Sequence, residues 1–222
     1  MDQSAGKAML QIEALRSGWE RHSTSAGLSC ALSWGDHLQL QGGSGSGKTC
    51  LLRVIAGLQR AQQGGVYWQS TSVTEAQLAR WRQQIVYCPQ QAIVGADTVA
   101  DALLLPWHLN AEASALPSDD KLVEALTLMD LSLALNASTS RLSGGEQYRL
   151  MLARSCLLDR PIWLLDEPTA ALDNYSSQRV ADVLTAAPRI VISISHDPFW
   201  QQLATQRYDL AQDTVTVGRS AQ

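Results

Sequence analysis

Residues 42–49 read GGSGSGKT and lie between a short alternating run, 36–41 (DHLQLQ), and an apolar-periodic one, 49–58 (TCLLRVIAGL). No other feature constrains the fold as tightly. The octet fits G-x-x-x-x-G-K-[ST], with Gly42, Gly47, Lys48 and Thr49 at the defining positions, and its flanks predict a strand entering the loop and a helix leaving it. Gly43, Gly45 and Gly47 let successive backbone N–H groups turn inward, and the helix start adds about half a positive charge. Such a cradle accepts phosphate oxygens. Lys48 is then placed to hold the β and γ phosphates of a nucleotide, and the Thr49 hydroxyl to ligate Mg²⁺. The competing reading, a flexible Gly/Ser linker, has no need of a Lys-Thr pair opening an apolar helix.

Composition narrows the remaining choices. At 222 residues the chain is one large or two small domains, and 45% hydrophobic content is ample for a packed core. A net charge of −4 without any basic run argues against a nucleic-acid surface. No N-terminal apolar segment resembles a signal peptide, and apolar runs such as 102–105 are too short to span a bilayer, so a cytoplasmic protein is expected. Cys30, Cys50, Cys88 and Cys156 are irregularly spaced with no C-x-x-C pair, which suggests small buried hydrophobes rather than a zinc site or disulfides.

Segments 9–15 and 26–34 read as strands ahead of the phosphate loop, and 66–69, after a Gly64-Gly65 turn, returns to the sheet. Residues 85–88 (IVYC), stopped by Pro89, fit a buried parallel strand. From 95 to 141 the character is helical, with Leu122, Leu126 and Met129 at helical spacing behind the helix-starting Ser118, Asp119 and Asp120. Strand signals resume at 161–166 and 189–194, and 207–210 with 214–217 suggest a terminal hairpin around Gln212-Asp213. Strands alternating with helices predict an α/β core with a parallel sheet, and the helical insertion predicts a smaller second lobe.

Three further motifs bear on chemistry. Ser143, Gly144, Gly145 and Glu146 have the form of a capping box, and the helix they open carries Leu150, Ala153, Leu157 and Leu158 on one face. Helix capping alone leaves two first-turn glycines unexplained, each costing about 1 kcal/mol against Ala; close approach of an anion to bare backbone accounts for them. Strand 162–165 delivers Asp166 and Glu167 at its carboxyl end, where Asp166 is placed to hold Mg²⁺ and Glu167 to polarise the water that attacks a γ-phosphate. His196 follows the strand 190–194 and precedes Asp197-Pro198, an N-cap and first-turn proline, which sets the imidazole for γ-phosphate contact. Gln90 and Gln91 follow Pro89, and either amide could face the metal. His22, His37 and His108 lack partners at ligand spacing and read as structural or surface residues.

With GGSGSGKT, CPQ, LSGGEQ, LLDEPTAALD and SISHD in this order, the chain resembles the nucleotide-binding subunit of ABC transporters over essentially its full length. The resemblance implies a P-loop NTPase core with a parallel sheet, an N-terminal antiparallel β subdomain and a helical subdomain at about 95–155, inserted in a single ATPase domain spanning 1–222. It implies ATP and Mg²⁺ as ligands, with Gly42, Gly43, Ser44, Gly45, Ser46, Gly47, Lys48, Thr49 and Cys50 binding the nucleotide. Gln90 becomes the metal-sensing glutamine, beside Thr49 and Asp166, while Lys48, Glu167 and His196 complete the catalytic set. Ser143, Gly144, Gly145 and Glu146 become the signature that grips the γ-phosphate of a second copy, Asp173 the residue that crosses between copies, and Trp19 the aromatic that stacks on adenine. The partners implied are a second copy of the chain and a multi-span membrane permease, which would hold the protein at the cytoplasmic face of the inner membrane. Within the family, 82–90 (RQQIVYCPQ) and 97–107 (DTVADALLLPW) resemble the ATP-binding subunits of Fet-type iron exporters. Amino-acid import, lipoprotein release and a soluble non-transport ABC ATPase are the alternatives.

Overall fold

The computed structural model describes residues 8–20, 26–109, 112, 114–170 and 172–217. His22 lies outside these residues. The chain runs β1 (Leu10–Arg16), β2 (Leu28–Leu32), β3 (His37–Gln41), α1 (Lys48–Ile55), β4 (Gln63–Trp68), β5 (Thr71–Ser72), α2 (Leu78–Arg82), β6 (Ile85–Cys88) and α3 (Val99–His108). It continues through α4 (Asp119–Leu128), α5 (Gly144–Leu158), β7 (Ile162–Asp166), α6 (Asn174–Thr185), β8 (Ile190–Ile194), α7 (Pro198–Gln202), β9 (Gln206–Asp209) and β10 (Thr214–Val217). Two sheets result: an antiparallel one ordered β2-β1-β4-β5, and a six-stranded one ordered β10-β9-β3-β8-β7-β6 that is parallel except for the β9–β10 hairpin.

Every residue of β7 is buried, because both faces of the sheet are covered. Ile162 and Leu164 enter the core shared with α1 and the antiparallel sheet, whereas Trp163 and Leu165 enter the core shared with α3, α4, α5 and α6. This alternation sets where the strand's last residue points: Asp166 falls on the α1 side. The helical stretch has no separate interior, since Leu103, Leu122 and Leu126 pack in one cluster with Val86 and Cys88 of β6.

The sequence misplaces one turn. Gly64 and Gly65 lie inside β4 rather than ahead of it, and the chain reverses instead at Gln69 and Ser70, whose φ values of 50° and 66° suit a two-residue hairpin. Gly64 is required by a bulge in β1, where Ala14 has φ of 44° and the pairing register slips. A Cβ on Gly64 would lie 2.3 Å from the carbonyl oxygens of both Glu13 and Ala14. We therefore expect Gly64→Ala to destabilise the fold by about 1–3 kcal/mol in urea titration; an unchanged midpoint would mean that the bulge yields freely.

α5 departs from a simple one-face helix. Leu150 and Ala153 are buried as expected, but Leu157 and Leu158 are only half-buried, and burial extends to Tyr148, Met151, Leu152 and Ser155. The helix packs against α3 and α4 as well as β6, so more than one face is covered. Cys88 is buried and the other three cysteines are half-buried, all as free thiols. Burial pushes the thiol of Cys88 up to about 11 and those of Cys30 and Cys156 up to about 12, which leaves them protonated and unreactive. His37 is structural: it is buried with Nε2 2.7 Å from Ser193 Oγ, and burial lowers its pKa to about 4. His108 is exposed at the end of α3. No helix among the described residues is long and apolar enough to cross a membrane.

Candidate active site

Parallel strands bring their carboxyl ends to one edge, and here the register aligns Leu40 and Asp166 with Ile194, and Leu165 with Cys88. The loops leaving β3, β6, β7 and β8 carry the phosphate loop, Gln90, Glu167 and His196 respectively. Four sequence-distant motifs thus meet at the rim where α/β sheets gather ligands.

Gly42, Gly45 and Gly47 take positive φ, whereas Gly43, expected to share this role, does not. A Cβ on Gly43 would instead meet open space, and Ser44 and Gly45 beside it are exposed. No side chain caps α1, so the N–H groups of its first turn, from Lys48 through Cys50, remain directed at the loop. Ser46 Oγ is buried without a hydrogen-bond partner among the described residues. An uncapped helix start and an orphaned buried hydroxyl fit a bound anion. Lys48 folds across the loop, its Nζ donating to Gly42 O at 2.7 Å and Gly43 O at 3.0 Å. Burial lowers the Lys48 pKa, while Glu167 and Asp166 pull it back up, so the ammonium is held between loop carbonyls and the acid pair.

The two acids turn to different neighbours. Thr49 Oγ1 donates to Asp166 Oδ1 at 3.3 Å, and burial raises the Asp166 pKa against the pull of Thr49, Arg53 and Lys48. A hydroxyl and a carboxylate in contact are the oxygen ligands that a hard cation such as Mg²⁺ takes. Glu167 leaves the strand at φ of 54° with its N–H donating to Ile194 O at 2.9 Å. Its Oε1 then comes to 3.5 Å from His196 Nε2, and the imidazole is 70% exposed at the rim. Gln90 and Gln91 are both exposed after β6. Asp197 caps α7 by accepting from Phe199 N–H at 2.9 Å.

Trp19 reaches the loop by a separate route. Its carbonyl oxygen lies 3.2 Å from where a Cβ on Gly47 would sit, which only glycine permits at φ of 99°, and the residue is 65% exposed. The second helix start is closed on itself: Ser143 Oγ accepts from Glu146 N–H at 3.3 Å, and Glu146 Oε2 accepts from Ser143 N–H at 2.9 Å. Gly144 has no atom within 4 Å of its Cβ position, so this end of α5 is open to an approaching group; Gly145 follows it, half-buried. Asp173 caps α6, accepting from Ser176 N–H at 2.7 Å, and Arg149 of α5 donates to Ser176 Oγ at 3.0 Å, tying the two helix starts together.

Two residues of this architecture escaped the sequence reading. Arg154 donates to Ile93 O, Val94 O and Ala102 O at 2.5, 2.9 and 3.1 Å, clamping the segment after Gln90 onto α5; no spacing signals this. Glu20 closes the turn that carries Trp19, and its signal was present as the S-x-x-E pattern of residues 17–20.

A profile of ABC transporters matches residues 26–170. The chain belongs to the ABC transporter family. CcmA of Tatumella citrea, a cytochrome c biogenesis ATP-binding export protein, is 31% identical over 174 residues, covering 78% of this chain and 79% of its own length. IrtB of Mycolicibacterium thermoresistibile, a mycobactin import ATP-binding/permease protein, is 32% identical over 195 residues, covering 85% of this chain and 33% of its own. The fold matches the ATP-binding cassette MJ0796, solved as a dimer in a post-hydrolysis state with ADP and Pi, at a TM-score of 0.80 and 22% identity over 96% of this chain and 100% of that one. The protein is an ABC ATPase with the cassette fold: a parallel P-loop core, an antiparallel β part and a helical part.

Proposed function

We propose that the protein closes head to tail on a second copy around two ATP molecules and drives a separate membrane permease. The observation that carries this is a second glycine-rich helix start, open at Gly144, in a chain with one phosphate loop. The start of α1 is uncapped behind the Lys48 loop, and the start of α5 presents the open Gly144. One nucleotide needs only the first, so the second serves the nucleotide of another copy. The dimeric state of MJ0796 supports this pairing, and the permease portion named in IrtB supports a membrane partner.

Within each site, Lys48 and the N–H groups of 43–50 hold the phosphates while Trp19 stacks on adenine. Thr49 and Asp166, with Gln90, would hold a Mg²⁺ ion, which would supply charge neutralisation at the phosphates. Glu167 takes a proton from the attacking water as its oxygen bonds the γ-phosphorus and the bond to the β-phosphate oxygen breaks, releasing ADP, while His196, 3.5 Å from that carboxylate, holds it in place and reaches the γ-phosphate. Ser143 through Glu146 and Asp173 act across the interface.

The cargo reading is iron export, from the resemblance of 82–90 and 97–107. Deleting the chain should raise cellular iron and sensitise cells to peroxide, with Glu167→Gln failing to rescue them. Unchanged iron and peroxide tolerance under iron excess would sink this reading. Loss of c-type cytochromes instead would favour a role like that named for CcmA.

A further inference from the structure

Trp19 presents an odd combination: the residue is 65% exposed, yet its backbone is tightly held. Its N–H donates to Ser17 Oγ at 3.2 Å, and its carbonyl is wedged against Gly47 of the phosphate loop. Just ahead, Arg16 O accepts from Gln62 N–H at 2.8 Å, which anchors the turn to the strand that follows α1. The Glu20 side chain closes the start of the turn. Glu20 Oε1 accepts from Ser17 N–H at 2.6 Å and Glu20 Oε2 from Gly18 N–H at 2.8 Å, so both carboxylate oxygens are used. Burial works to raise the Glu20 pKa, but hydrogen bonds from Ser17, its own N–H and Gly18 overcome this and hold the carboxyl below its ordinary range. The Glu20 hydrogen bonds serve the turn itself.

Two physical considerations give the arrangement a purpose. Leaving a large indole in water forgoes the stabilisation of burying it, so a turn that fixes it there gains nothing for the fold from the ring. A carboxylate beside a triphosphate site is electrostatically unfavourable for binding a polyanion. Both costs are offset if the turn orients the ring in advance, because ordering completed on folding need not be supplied on binding.

We propose that Glu20 is a positioning residue for the nucleotide base: by closing the 17–20 turn it fixes Trp19 beside the phosphate loop, so that an incoming nucleoside triphosphate meets an already oriented aromatic face. This rests on the reading of Trp19 as the base-stacking residue. It assigns Glu20 no contact with the ligand.

The test compares a ligand that has a base with one that lacks it. Dissociation constants for ATP and for inorganic tripolyphosphate are measured by calorimetry without divalent metal, so that ATP is not consumed, on wild type, Trp19→Ala, Glu20→Ala, Glu20→Gln and the Trp19→Ala/Glu20→Ala double variant. Trp19→Ala should weaken ATP roughly tenfold and leave tripolyphosphate unchanged, the loss expected for one stacked base. Glu20→Ala should weaken ATP about fivefold while tripolyphosphate binds equally or more tightly, since a negative charge is gone. Glu20→Gln, which keeps one acceptor, should fall between. The double variant should be no weaker than Trp19→Ala, because Glu20 acts only through that ring.

Wild-type ATP affinity in Glu20→Ala, alongside a weakened Trp19→Ala, would overturn the role of Glu20 and leave the stacking reading standing. Parallel loss of both ligands in Glu20→Ala, or a double variant showing the full sum of the two losses, would assign Glu20 to fold stability and overturn the proposal. Wild-type ATP affinity in Trp19→Ala would remove the stacking reading and this inference with it.

Discussion

Glu167→Gln is expected to bind ATP as wild type does and to hydrolyse it about 10²- to 10⁴-fold more slowly, the usual cost of removing a positioned general base. The amide is isosteric, so the left-handed backbone at Glu167 and its N–H bond to Ile194 O should persist. What changes is proton affinity: Gln cannot accept the proton of the attacking water, and its contact with His196, 3.5 Å away in the native protein, becomes a neutral one. If two copies close around ATP as proposed and hydrolysis reopens them, the variant should accumulate as an ATP-bound dimer in size-exclusion chromatography with Mg²⁺. Wild-type turnover with no gain of dimer would remove Glu167 from the base position and return it to a role at the strand end.

Ser143→Arg should abolish hydrolysis while leaving the nucleotide affinity of a single chain near wild type. Loss of electrostatic stabilisation at a developing charge costs about 10²- to 10³-fold, and a bulky guanidinium at the open start of α5 should also block closure. Lys48→Ala should fail earlier, weakening ATP by about 10- to 100-fold, because charged hydrogen bonds to phosphate are lost. A mixture of the two is the informative sample. A heterodimer rebuilds one composite site, from the intact phosphate loop of the Ser143→Arg chain and the intact signature of the Lys48→Ala chain. Activity above the sum of the separate variants is expected. Its absence in demonstrated heterodimers would count against composite sites.

Much of the fold was legible because its elements are buried in ways that leave a local record. Residues 85–88 match β6 as read, since a strand covered on both faces must be apolar throughout and Pro89 ends it. Ser118 marks the start of α4 because a helix start needs a residue with extended backbone ahead of it. The Gly64-Gly65 pair misled for the opposite reason: its cause is Ala14, fifty residues upstream, and nothing near Gly64 in sequence records a bulge in a neighbouring strand. The sequence reading assigns no helix at α2 or α6, although Asp173 caps α6 and Val180, Ala181 and Leu184 line its buried face.

The site divides along the same line. Sequence alone determined which chemical groups are present: a phosphate loop with its lysine and threonine, an acid pair closing an apolar strand, a histidine after the next strand, and a second glycine-rich helix start. These depend on neighbours within a few residues, where backbone geometry is set by local sterics and hydrogen bonding. Tertiary structure decided which groups face one another. It turned Asp166 to Thr49 and Glu167 to His196, set Trp19 against Gly47, and gave Arg154 its three carbonyls. Such pairings follow from strand order and register in a parallel sheet, and those are fixed by burial of the whole core rather than by any segment's own composition.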